Sequence, residues 1–331
     1  MLSSSRSLSL IVVAAVIMSV MTDAGRAIPS ASAASLDTTV YSVAFSADGK
    51  ILASTYQNTI RLWDVASGRR VAVLRGHSRG VSSIAVSSDG TRLVSGGLDG
   101  TVLIWTLPEG VQTHALRAHP RSVYTVTIAP DSRMAASGGS DQDPVIRLWD
   151  LRAGQLLRTL NVPTDVIGSL AFSPDGLTLA SASGQQGDEG IALWDLRTDK
   201  VKARVGETNW AYVHRLAYSA DGRMIVGAGG NRYEGGWTRV YDARTGELLD
   251  DTGCGASSIA FSPDSKILAI GFQRAIVLRN VSTGEPVLRL WGHTYLVESI
   301  AFSPDGTWLA SGGNDLRLWD LRSGTLKRIL R

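Results

Sequence analysis

Histidine, serine and aspartate recur in this chain at spacings that invite a catalytic reading. Gly76-His77-Ser78-Arg79-Gly80 matches the G-x-S-x-G pattern of an activated serine. Such a nucleophile needs a sharp turn from a strand into a helix. Here the pentapeptide lies between two strand-like runs with no helical pattern near it, so it reads as a connection. Other candidates fall in the same way. Gly253-Cys254-Gly255 has no following helix and is not a dinucleotide fingerprint. Asp141-Gln142-Asp143 lacks the remainder of a Ca²⁺-binding loop. Cys254 is the single cysteine, which excludes an internal disulfide and a cysteine metal cluster. His114 and His119 flank one strand end, but His119 has a structural use described below. No enzyme activity, cofactor or metal is expected.

The elements that position these residues announce themselves as a repeat. Trp63, Trp105, Trp149, Trp194, Tyr241, Arg279 and Trp319 are each followed, five residues on, by Gly68, Gly110, Gly154, Asp199, Gly246, Gly284 and Gly324. A period near 40 residues, held seven times, means units that bury their apolar faces only by stacking. Each unit reads as four strands. The first is nearly continuous in apolar residues (40–45, 81–86, 123–128, 170–172, 216–218, 259–261, 300–302), as for a strand covered on both faces. An Asp-Gly or Asp-Ser turn follows each, such as Asp48-Gly49 and Asp131-Ser132, supplying the positive φ of a tight hairpin. The third strand ends in Leu-Trp-Asp at residues 62–64, 148–150, 193–195 and 318–320. The fourth carries charges such as Arg70, Lys200, Lys202 and Arg328, which blunt an outer edge.

Composition agrees. The 331 residues are 44% hydrophobic, only 19% charged, and include 35 glycines, as suits many short buried strands joined by tight turns. The net charge of +3 comes from scattered basic residues without a run of five. That is poor support for a nucleic-acid partner.

These features predict an all-β chain, a seven-bladed β-propeller of four-stranded antiparallel blades. Gly76-His77, Ala118-His119 and Gly292-His293 before first strands, with Trp-Asp after third strands, resemble the WD-repeat propellers. The resemblance covers residues 36–331. Blades are expected at about 40–77, 78–119, 120–160, 161–206, 207–250, 251–293 and 294–331, within a domain over 34–331. We expect blades 7 and 1 to close the ring mainly by face packing, in a monomeric propeller. The rival is a segment near Ala34 pairing onto blade 7 in place of residues 325–330.

The resemblance implies a buried polar tetrad within a blade: His before the first strand, Ser in the second, Asp before the third and Trp in the third. Unit 2 matches with His77, Ser95, Asp99 and Trp105; unit 3 with His119, Ser137, Asp141 and Trp149. Unit 7 offers His293, Ser311, Asp315 and Trp319, its Asp–Trp gap shortened by two. A buried Trp N–H needs an acceptor and a buried Asp needs donors, and this chain supplies both. Units 4, 5 and 6 lack the His, and unit 6 reads Leu278-Arg279-Asn280 in place of Leu-Trp-Asp.

Residues 1–33 have a separate character. Arg6 precedes an uncharged apolar run over 8–21, and Ala31-Ser32-Ala33 offers a cleavage site. This resembles a secretory signal peptide, with a membrane anchor as the second reading. The expectation is an exported protein, periplasmic or extracellular, with membrane contact only through an uncleaved segment.

In WD-repeat propellers, the fourth-to-first and second-to-third connections share one face. The second-to-third loops are longest in units 3, 4 and 5. Candidate partner-binding residues on that face are Tyr41, Tyr124, Trp210, Tyr212, His214, Tyr233, Trp237, Tyr295 and Glu298. Aromatic rings backed by charge suit a binding hot spot. The function expected is a non-enzymatic scaffold binding a protein or peptide on the loops of blades 3–5. The alternative is a propeller enzyme or small-ligand module using the central channel.

Overall fold

A computed structural model describes residues 39–139, 144–162, 166–183, 190–206, 213–231 and 235–331. Asp37–Arg331 form one compact unit; a second, Met1–Leu36, lies outside the described residues, as do the expected leader and its cleavage site. The described residues contain 28 strands in seven antiparallel sheets of four, each sheet built from consecutive strands. Blade 1 runs from β1 (Val43–Phe45) to β4 (Arg70–Arg75), and blade 2 from β5 (Val81–Val86) to β8 (Gln112–Arg117). Blade 3 runs from β9 (Val123–Ile128) to β12 (Gln155–Asn161), and blade 4 from β13 (Ile167–Phe172) to β16 (Lys200–Val205). Blades 5, 6 and 7 begin at β17 (Val213–Tyr218), β21 (Ser258–Phe261) and β25 (Ser299–Phe302). They end at β20 (Leu248–Asp251), β24 (Pro286–Trp291) and β28 (Thr325–Leu330). The seven sheets are the blades of a seven-bladed propeller.

The turns realise the backbone geometry that their sequences require. The residue that ends each of the seven repeat turns adopts positive φ, from Asp199 at 58° to Gly246 at 75°. The hairpin after each first strand does the same, including Ser132 and Ser265 at 60°. A serine two residues before the hairpin aspartate bonds its carboxylate in six blades, at 2.5–2.6 Å. In blade 3 that position is Ala129.

Burial follows the strand order. Second and third strands carry the fully enclosed side chains, such as Leu52, Leu62, Leu93, Ile104, Leu148 and Leu179. Each contributes roughly 2–3 kcal/mol by leaving water. The apolar clusters span neighbouring blades, so blades are stabilised mutually. Outer strands are mostly exposed or half-buried, each of these four keeping one buried anchor: Leu74, Leu116, Val205 and Leu330.

A ring of hydroxyls ties the inner strands together. The backbone N–H of Ile84 donates to Ser42 Oγ, that of Val126 to Ser83, and that of Leu216 to Ser169, each at 3.1 Å. Each bond joins one blade to the next. The seam uses the same device: Val43 N–H of blade 1 donates to Ser299 Oγ of blade 7 at 3.1 Å. An apolar cluster of Val40, Val43, Phe45, Leu316, Leu318 and Leu330 packs that seam, and Val40 N–H bonds the Gly313 carbonyl at 2.7 Å. β28 stays in blade 7, and no strand is exchanged among the described residues.

Candidate functional site

The tetrads assemble largely as chains of hydrogen bonds. In blade 2, Trp105 Nε1–H donates to Ser95 Oγ at 3.0 Å, and Ser95 Oγ lies 2.8 Å from His77 Nε2. His77 Nδ1 faces Asp99 at 3.2 Å. Because the carboxylate only accepts, Nδ1 carries the proton, and Ser95 donates to Nε2. Asp99 also accepts from Ser78 N–H at 2.7 Å and Thr101 Oγ1 at 2.7 Å. In blade 3, Ser137 Oγ meets Trp149 Nε1 at 2.9 Å and His119 Nε2 at 3.0 Å, while Arg147 reaches His119 Nδ1 at 3.1 Å. Asp141 lies outside the described residues. In blade 7, Ser311 joins Trp319 at 2.8 Å to His293 at 2.7 Å. Despite the shortened gap, Asp315 Oδ1 lies 3.0 Å from His293 Nδ1, held by both arms of the Arg317 guanidinium at 2.9 Å.

Two pairs escaped the sequence reading. Trp63 donates to Ser54 in blade 1 and Trp194 to Ser181 in blade 4, each at 2.9 Å. Both serines end the same second-strand tripeptide, Leu52-Ala53-Ser54 and Leu179-Ala180-Ser181, a recurrence that could have revealed them. In blade 6, Arg279 occupies the tryptophan position. It donates to the Gly284 carbonyl of its own repeat turn and reaches Asp250 of blade 5 at 3.4 Å.

These environments are expected to make the protein acid-sensitive. Burial lowers His77 below its ordinary value of 6.5, opposed by Asp99, and burial together with the Arg215 charge lowers His214. Burial pushes Asp99 up, but hydrogen bonds from Thr101 and Ser78 and the His77 charge outweigh it, leaving its pKa at about 2. Asp315 is likewise raised by burial yet brought to about 2 by His293 and Arg317. In all four groups the unfolded chain binds the proton more readily. Their stabilisation is therefore complete above the unfolded values and is lost as pH falls through the folded ones. Stability is expected to decline first below pH 6.5, from the histidines, and again between 3.8 and about 2, from the aspartates. Urea midpoints measured from pH 8 to pH 3 check this; a flat profile down to pH 5 contradicts the histidine contribution.

The partner candidates separate into free and committed groups. One residue per blade sits just before the hydroxyl ring: Tyr41, Ser82, Tyr124, Gly168, His214, Ser257 and Glu298. Ser82 Oγ donates to the Val123 carbonyl of blade 3, His214 Nε2 to the Ala256 carbonyl of blade 6, and Ser257 Oγ to the Val297 carbonyl of blade 7. Each latches its blade to the next, so His214 is a structural tie. Tyr41 and Tyr124 at the same position remain 44% and 41% exposed. Tyr295, in the connection to blade 7, is 51% exposed, and Glu298 is half-buried. Trp237 packs half-buried against the blade 4–5 core, with its Nε1 buried and without an acceptor among the described residues. Trp210, Tyr212 and Tyr233 lie outside the described residues, together with the long loops of units 3 and 4 and most of that of unit 5. In the channel, Arg215 replaces the ring hydroxyl. It donates to the His214 carbonyl at 3.0 Å and reaches the Glu298 carbonyl of blade 7 at 3.4 Å. Among the described residues, no three His, Cys, Asp or Glu side chains gather to hold a metal.

The family model for the WD domain, G-beta repeat, matches residues 32–64, 68–106, 110–150, 154–195 and 284–320, more than half of the chain. The chain belongs to the WD40 family. The gap between the fourth and fifth matches takes in the last strand of blade 4, all of blade 5 and most of blade 6, and in the latter two Tyr241 and Arg279 replace the repeat tryptophan. This WD40 chain is 29% identical over 194 residues to a pre-mRNA-processing factor 19 homologue of Arabidopsis thaliana, covering 54% of the chain and 35% of that protein. It is 32% identical over 120 residues to anaphase-promoting complex subunit cdh1 of Dictyostelium discoideum, covering 34% and 16%. It is also 48% identical over 59 residues to guanine nucleotide-binding protein subunit beta-5b of Danio rerio, covering 18% and 15%. The matches thus span about a third or less of each relative's length. WD40 relatives of this kind are protein-interaction scaffolds, and the family is generally non-catalytic. The expectation of an exported or membrane-anchored protein is corrected here. Pre-mRNA processing and the anaphase-promoting complex belong to the cell interior, and those relatives overturn it. Among the described residues no helix is long and apolar enough to cross a membrane.

Proposed function

We propose that this WD40 propeller is a non-enzymatic platform that holds a protein or peptide on the face bearing the fourth-to-first connections. The observation that carries the reading is the rim position just described. In blades 2, 5 and 6 its side chain is spent on the next blade, whereas Tyr41 and Tyr124 stand unspent and exposed. Exposed tyrosines at the mouth of a rigid ring provide large contact area at small entropic cost. Tyr295 and Glu298 extend this surface. Trp210, Tyr212 and Tyr233 belong to the same proposal through their place in the chain, in connections of units 4 and 5.

The test places a photo-activated cross-linking residue at Tyr124, at Tyr295, or at Leu177, an exposed residue of a first-to-second hairpin on the opposite face. Illumination in the protein's own cells is expected to give discrete protein adducts from positions 124 and 295 and none from 177. Equal adducts from all three, or none from any, would remove the assignment to this face.

A further inference from the structure

Three connections place a buried histidine midway between two exposed side chains. Residues 75–79 read Arg-Gly-His-Ser-Arg, residues 117–121 read Arg-Ala-His-Pro-Arg, and residues 291–295 read Trp-Gly-His-Thr-Tyr. The central His77, His119 and His293 are buried, and all six flanking side chains are exposed. A histidine pinned to the second strand holds the backbone on either side of it, so each connection is a bracket with two arms in solvent.

The first two brackets grip a single loop. Ser78 N–H donates to Asp99 at 2.7 Å, and Leu98 N–H donates to the Gly80 carbonyl at 2.8 Å. From the other side, the N–H groups of Ala118 and His119 reach the Gly100 carbonyl at 3.0 and 2.9 Å. The loop 98–100 is thus wedged between the brackets, and Arg75, Arg79, Arg117 and Arg121 frame it. No carboxylate lies within ion-pair distance of any of the four among the described residues. Asp99, the only acid in that loop, is turned inward and occupied by His77, Ser78 and Thr101. Tyr124 stands beside this cluster, three residues beyond Arg121. The third bracket carries Trp291 and Tyr295 instead, so the bracket arginines are confined to blades 1–3.

We propose that these four arginines clamp an acidic segment of a protein partner, a refinement that rests on the reading of this face as the docking surface. Guanidinium forks match carboxylates in pairs and keep their charge at any physiological pH. Unneutralised positive charge on a rigid frame raises the association rate of an acidic chain and sets its register. A nucleic acid fits less well. Its affinity comes from a long track of phosphate contacts, whereas this charge is confined to two connections on a chain of net charge only +3.

The test uses the full chain and a fluorescein-labelled hexaglutamate peptide, followed by fluorescence anisotropy at low salt. Wild type is expected to bind it, with affinity falling as salt rises. The double variant Arg79→Glu/Arg121→Glu is expected to lose about tenfold or more in affinity. Arg69→Glu/Arg133→Glu, at exposed turns of the opposite face, is expected to bind as wild type does. All four positions are exposed, and unchanged thermal midpoints verify folding. Absence of binding by wild type, equal losses in both double variants, or tighter binding of a single-stranded oligonucleotide would each overturn the acidic-segment proposal. If the peptide arm fails while cross-links at Tyr124 persist, the clamp alone is wrong. If both fail, the docking face is wrong.

Discussion

Replacing Ser95 by alanine is expected to destabilise the protein by about 2–6 kcal/mol, roughly twice the effect of Ser181→Ala. Ser95 serves two buried partners, accepting from Trp105 and bonding His77. Its removal leaves the indole N–H and the imidazole unsatisfied, each at about 1–3 kcal/mol. Ser181 serves Trp194 alone, so only one group is orphaned there. The hydroxyl is fully enclosed, and a compensating water has little room to enter. Thermal unfolding of the two variants beside wild type checks the prediction. Equal shifts would mean that the histidine adds nothing to the tetrad's stability. A catalytic role for the His77–Ser95–Asp99 set also loses ground here, because all three are committed and His77 and Ser95 are buried.

Gly255→Ala is expected to cost about 1–3 kcal/mol or more by overpacking. A Cβ on Gly255 would come within 2.5 Å of the Gly236 Cα, and one on Gly236 within 2.3 Å of the Gly255 Cα. Both obstacles are backbone atoms, so neither can swing aside. The contact joins the third strand of blade 5 (β19, Gly235–Asp242) to the connection leading into blade 6. Gly255→Ala is expected to loosen that junction, which amide hydrogen exchange would detect as lost protection in β19 and β21. Gly168→Ala is the control, because its added Cβ would meet only ordinary contacts at 3.7 Å or beyond. Comparable destabilisation by the two variants would show that the Gly236–Gly255 approach is not special.

The legible part of this chain was the part written within a single repeat. The strand order, the hairpin aspartates and the Trp-to-Gly turn each span a few residues, so spacing alone exposes them. The tetrads of blades 2 and 7 were readable for the same reason: His, Ser, Asp and Trp all belong to one unit or its leading connection. Ser54 and Ser181 were missed only because their blades lack the histidine that drew attention to the others. The rim was less legible. His214 and Tyr124 occupy equivalent positions and look alike as candidates, yet His214 is bonded to a carbonyl of blade 6 and Tyr124 stands in solvent.

By itself the sequence determined the repeat, its seven-fold count, the four-stranded unit and the buried polar chains, because those follow from local periodicity and the need to satisfy buried donors. Tertiary structure alone decided which rim residues are free, why Gly255 must lack a side chain, how Arg279 substitutes for tryptophan, and that two distant Arg-x-His-x-Arg connections frame one loop. Those outcomes depend on which atoms of a neighbouring blade lie across the interface, and the curvature of a closed ring sets that proximity.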